Sequence, residues 1–132
     1  MDVVYTHCCG LDVHKKTVVA CLITSTEGAE PLKEIRTFRT MTADLLAVAD
    51  WLQQAGCTHV AMEATGVYWK PVWHILEGEF ELVLANPLHI RNVPGRKSDV
   101  NDATWIADLL AHDLDPFEHG PSRRDPFRSC AL

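Results

Sequence analysis

The chain has 132 residues, 47% hydrophobic and 23% charged, with a formal net charge of −6. That is one domain of ordinary size, long enough to bury a core and too short for two, and its balance excludes a fibrous or low-complexity polymer. No apolar run approaches the roughly 18 residues of a membrane span, so a soluble cytosolic protein is expected.

The first expected strand is Val3 to Asp12, a β-branched and apolar run that ends in a carboxylate. Thr17 to Thr24 follows after four residues, so the two read as an antiparallel hairpin. A third strand, Leu32 to Arg39, alternates apolar and polar residues over part of its length, as an outer strand with one wet face should. Thr42 to Gly56 reads as a helix, with Thr42 as its N-cap and Leu45, Val48, Ala49 and Leu52 as its buried stripe. Thr58 to Glu63 is a short apolar strand that again ends in a carboxylate. A turn at Ala64-Thr65-Gly66 leads into a helix from Tyr68 to Leu76, where Pro71 is tolerable in the first turn. Phe80 to Ala85 is the fifth strand, stopped by Asn86-Pro87. A basic loop then leads to a closing helix from Val100 to about His112. Residues 113–132 crowd Pro, Gly and Arg without a periodic core face and read as an irregular, largely disordered tail.

The five cysteines, Cys8, Cys9, Cys21, Cys57 and Cys130, form an odd count without CxxC spacing. All are expected to be reduced thiols, Cys8, Cys9, Cys21 and Cys57 as small core residues and Cys130 in the tail, and a zinc site is not expected.

The element order β-β-β-α-β-α-β-α predicts an α/β fold with a five-stranded mixed sheet, three strands antiparallel and two parallel, carrying helices on its faces. If the fourth strand lies parallel beside the first, Asp12 and Glu63 become neighbours at the carboxyl edge of the sheet, where open α/β sheets place their sites. Asp99 and Asp102 stand three apart, the spacing that puts two side chains on one helix face. Four carboxylates at one edge can hold two divalent cations about 4 Å apart, and hard oxygen donors suit Mg²⁺ or Mn²⁺. The net charge does not mark a nucleic-acid binder, but the local distribution differs. His89, Arg91, Arg96 and Lys97 fall within nine residues, and Lys15-Lys16 forms a second basic pair. Cations flanking a carboxylate cluster would offset its repulsion of a phosphate backbone. His14 reads either as a neighbour of the site or as an exposed turn residue. Trp51, Trp69, Trp73 and Trp105 read as core or interface aromatics.

Gly10-Leu11-Asp12-Val13-His14-Lys15-Lys16, then Met62-Glu63-Ala64-Thr65-Gly66-Val67-Tyr68-Trp69, Asn86-Pro87, and Pro94 to Ala103 together resemble the transposases of the insertion-sequence 110 family, in order and spacing, over about residues 8 to 112. The resemblance implies an RNase H-like, RuvC-type domain with an Asp-Glu-Asp-Asp metal site. Here the four are Asp12, Glu63, Asp99 and Asp102, holding two Mg²⁺ or Mn²⁺ ions. It implies DNA as substrate, cut and rejoined during transposition in a bacterial cytoplasm near the nucleoid, with Lys15, Arg91, Arg96 and Lys97 as candidate nucleic-acid contacts. It also implies an element-encoded guide RNA, a homo-oligomer, and a second domain bearing a nucleophilic serine. That serine matches no residue here, and the pattern is expected to fail beyond His112. Two other functions compete. One is a DNA- or RNA-binding or oligomerisation module without cleavage. The other is an ATP-binding domain of the actin and sugar-kinase type, for which Val13 to Lys16 is the wrong phosphate loop. A resolvase-like nuclease acting on Holliday junctions is a related alternative.

Overall fold

The computed structural model describes residues 3–64, 66–96, 100–112 and 117–119. Strands β1 (His7–Val13), β2 (Thr17–Thr24) and β3 (Leu32–Arg39) precede helix α1 (Thr42–Gln54). Strand β4 (His59–Glu63), helix α2 (Trp69–Leu76), β5 (Glu81–Ala85), α3 (Pro87–Asn92), α4 (Asp102–Ala111) and β6 (Phe117–His119) follow. Six strands form one sheet in the order β3-β2-β1-β4-β5-β6. The meander β1–β2–β3 is antiparallel, and β1, β4 and β5 run parallel, as short turns and helical crossovers respectively require. The five anticipated strands are all present. The sixth pairs antiparallel with β5 inside the stretch expected to be irregular; the rest of residues 113–132 lies outside the described residues.

Side-chain alternation divides the core in two. Cys9, Leu11, Val60, Met62, Leu82 and Leu84 face α1 and α2, while Cys8, Ala61, Val83 and Ala85 face α4. Helix α1 buries Leu45, Val48, Ala49 and Leu52, the expected stripe. Thr42 is not its cap: Met41 occupies that position in an extended conformation and makes no side-chain capping bond. The helix stands without one because burying Leu52 alone is worth about 2 kcal/mol, against about 1 kcal/mol for a good cap. Trp69, Trp73 and Trp105 are buried, and half-buried Trp51 lies 5.7 Å from Phe38 with Arg36 above its ring.

Two features place α4. Val4 and Tyr5 donate their backbone N–H groups to Ala111 O at 2.7 and 3.1 Å, tying the entry to β1 to the end of the helix. Beneath the helix lies Gly10, where an added Cβ would stand 2.4 Å from Ala103 O and from Ala107 N. No side chain fits there, so glycine is what lets the first two turns of α4 rest on the middle of β1.

Asn86-Pro87, expected to end β5 in a loop, starts a helix instead. The Asn86 side chain accepts the Leu88 N–H at 2.9 Å, and Pro87 takes the first helical position, where its missing donor is no loss. Arg91 therefore sits on α3. Trp105 Nε1 donates to Ile90 O at 3.4 Å and joins α3 to α4.

Candidate metal centre at the carboxyl edge of the sheet

The register of β1 against β4 pairs Leu11 with Met62. One residue further along each strand stand Asp12 and Glu63, both in the series that faces α4. A parallel pair thus puts two carboxylates side by side at the carboxyl edge, Glu63 as the last residue of β4 and Asp12 as the last but one of β1. Glu63 is half-buried and its strand pairs onward with β5, Glu63 opposite Ala85. Beyond it the chain turns at Gly66, whose φ of 60° favours glycine, and Trp69 Nε1 donates to Gly66 O at 3.1 Å.

Asp102 arrives from above. Asn101 is extended (φ −73°, ψ 165°) and its side chain accepts the Thr104 N–H at 2.8 Å, which makes it the N-cap and Asp102 the first residue of α4. A carboxylate in that first turn is favoured by the helix dipole. The helix was expected to begin at Val100. Its start at Asp102 removes the argument that Asp99 and Asp102 share one helix face; Lys97 and Asp99 themselves lie outside the described residues.

Glu63 and Asp102 line one pocket of about 340 Å³, together with Pro87, Ile90, Arg91, Arg96 and Ile106. The lining sets two carboxylates and two arginines beside three apolar residues. Arg96 donates to Asp102 Oδ1 at 2.6 Å and to Val100 O at 2.8 Å, bracing the segment that enters α4. Arg91 Nε donates to Pro87 O at 3.4 Å within α3. Asp12 lies one strand over, with 16% of its side chain exposed, and its Oδ2 is 2.9 Å from His14 Nε2. His14 is thus both an exposed turn residue and a neighbour of the site. Lys15 is exposed in the same β1–β2 turn, where its carbonyl accepts the Thr40 hydroxyl at 2.9 Å.

The structure therefore brings Glu63, Asp102, Arg91 and Arg96 to one pocket, with Asp12, His14 and Lys15 at the same edge of the sheet. Among the described residues no three His, Cys, Asp or Glu side chains converge closely enough to hold one ion. The donor chemistry fits a divalent cation nonetheless: the ligating candidates are carboxylates alone, and the four described thiols are buried away from the edge in the core. The contribution of Asn101 was missed in the sequence, although an Asn followed by Asp and an apolar run is a helix-start signal.

This architecture has known counterparts. A Thermus thermophilus RuvC structure in complex with Holliday junction substrate superposes with a TM-score of 0.50 at 14% identity, over 78% of this chain and 90% of that one. A second Thermus thermophilus RuvC structure gives 0.50 at 13% identity, over 76% and 90%. The fold is thus RNase H-like, of the RuvC type. The family model of DEDD transposases of insertion sequence 110, described as a transposase, matches residues 9–128. The chain belongs to that transposase family, and the match continues past His112, where the resemblance was expected to stop. No curated protein matches it significantly. Among the described residues no helix is long and apolar enough to cross a membrane.

Proposed function

We propose that this chain is the catalytic domain of a DNA transposase, cutting and rejoining DNA with divalent metal during movement of an insertion sequence. The observation that carries the reading is the placement of Asp12 and Glu63 at adjacent strand ends on the face that α4 covers, with Asp102 opening α4 beside Glu63. Asp12, Glu63, Asp102 and Asp99 would hold Mg²⁺ or Mn²⁺, two ions being the number that four carboxylates suit. Bound there, the cations would supply Lewis-acid activation of a water or a 3′-hydroxyl and would screen the charge at phosphorus. The chain's own cations do the remaining work. Arg91 and Arg96, which line the pocket, with Lys15 and Lys97, hold the phosphate backbone against a carboxylate cluster that would otherwise repel it. DNA is the substrate, an element-encoded RNA is a candidate guide, and the working form is a homo-oligomer in the cytoplasm that also draws on a serine-bearing second domain.

The test is cleavage of branched and linear DNA with Mg²⁺ or Mn²⁺, beside calorimetric titration of either metal. Asp12→Asn, Glu63→Gln, Asp99→Asn and Asp102→Asn should each abolish cleavage and weaken metal binding. Metal binding that survives all four substitutions would sink the assignment.

A second reading is a binding module that grips nucleic acid without cutting it. It is favoured by the bonds that engage two of the carboxylates, His14 to Asp12 and Arg96 to Asp102. Retained DNA affinity with no metal binding in the parent chain would select it.

A further inference from the structure

Strand β3 is an edge of the sheet, eight residues long, and every residue in it except Phe38 is exposed. It pairs with β2 along its whole length on one side and, among the described residues, has no strand on the other. Leu32 is 73% exposed and Ile35 48%. A long edge bearing exposed apolar residues is a template for another strand, and soluble proteins ordinarily blunt such edges. Here the charges do not blunt it; they are arranged to match a copy of themselves.

An antiparallel ladder joins residues whose backbone groups point the same way, and that orientation recurs every second residue. When a strand pairs with its own copy about a two-fold axis, the axis must therefore lie between the two copies of one residue, which face each other. Three central axes are available. On Arg36, arginine faces arginine and Lys33 faces Arg39, both repulsive. On Glu34, carboxylate faces carboxylate. On Ile35, the isoleucines face each other, Leu32 faces Phe38, Lys33 faces Thr37, and Glu34 faces Arg36 twice over. Only the last register pairs apolar with apolar and opposite charge with opposite charge.

The side chains are already set for it. Arg36 Nε donates to Glu34 Oε2 at 2.6 Å, and its guanidinium lies 4.6 Å above the Trp51 ring, which holds it extended over the α1 face. Lys33 turns to the other face and meets Asp108 of α4 at 2.9 Å. A second copy would extend the Glu34–Arg36 contact into an alternating cluster of four charges.

We propose that β3 pairs antiparallel with β3 of a second copy of this chain about a two-fold axis at Ile35, joining two six-stranded sheets into one. This inference rests on β3 alone and is independent of the cleavage reading. An interface of one strand pair is small, so the dimer should be weak and concentration-dependent.

Sedimentation equilibrium across a concentration series tests it. The parent chain should dimerise; a monomer throughout overturns the proposal. Glu34→Arg alone or Arg36→Glu alone should weaken dimerisation by about tenfold or more, since each replaces two attractions with two repulsions. The double variant Glu34→Arg/Arg36→Glu should restore it, because the swap keeps opposite charges face to face. A dimer indifferent to the single changes uses another surface, and a double variant that stays monomeric excludes this register; either result overturns the inference. All positions are exposed, and far-UV circular dichroism checks that each variant folds. Hydrogen exchange in the parent gives an answer without mutation: β3 amides should gain protection as concentration rises, and no gain overturns the pairing.

Discussion

Gly10 lies so close under α4 that a methyl group on it would stand 2.4 Å from the carbonyl oxygen of Ala103 and the same distance from the amide nitrogen of Ala107. Both obstacles are backbone, so neither can swing aside. Gly10→Ala should therefore lift α4 off β1 and cost about 3 kcal/mol of stability, read as a lower denaturation midpoint. It should also impair metal binding, because the helix that moves carries Asp102.

Asn101 carries the start of α4 through its bond to the Thr104 amide. Asn101→Ala should cost about 1 kcal/mol, while Asn101→Ser or Asn101→Asp should be nearly neutral, since either can accept the same bond. Denaturant titration of the three variants checks this. An alanine variant as stable as the parent would mean that packing against Gly10 alone sets the helix start.

The Arg96–Asp102 pair separates stability from binding. Its partners are 33% and 52% exposed, so Arg96→Ala should change stability by less than about 1 kcal/mol. Freed of its guanidinium, Asp102 should take Mn²⁺ about fivefold more tightly. DNA affinity should move the other way, with a flatter salt slope by about one phosphate contact. Calorimetry with the metal and a salt series with DNA give the two signs independently.

The core thiols predict an alkaline limit. Burial pushes Cys8 and Cys57 from 9.0 up to about 12, and raises Cys9 and Cys21 as well. Above the ordinary thiol value the unfolded chain loses these protons while the folded chain keeps them, so folding stability falls as pH rises from about 9 toward 12. Guanidinium midpoints should be flat below that window and should fall across it. A Cys8→Ala/Cys57→Ala chain, whatever its starting stability, should show a shallower decline.

The sheet was readable from the sequence because its signals are local. β3 runs over the residues that alternation marks, and β4 ends in the carboxylate that closes its apolar run, whereas β1 starts at His7, later than the expected Val3, and runs one residue past Asp12 to Val13. Helix starts were harder. Thr42 has the chemistry of a cap, but the chain turns one residue earlier and burial of the α1 stripe makes a cap dispensable. Asn86-Pro87 carries two meanings, strand stop and helix start, and a six-residue helix is too short for periodicity to separate them. Nothing local announces that Gly10 is the floor under α4, because the contact joins residues nearly a hundred positions apart. The pairing of Glu63 with Asp102 in one pocket has the same kind of origin, since the two are distant in sequence and only the packing of α4 on the sheet brings them together.

The two hydrogen bonds that fasten Val4 and Tyr5 to Ala111 bear on protein synthesis. A chain leaving the ribosome presents Asp12 well before Asp102, and the central strand stays uncovered on one face until α4 has emerged. The hairpin and α1 can assemble beforehand, but the pocket cannot. An interrupted translation product thus carries half of the acidic edge and none of its roof, and a cell that aborts synthesis part-way inherits an inert sheet.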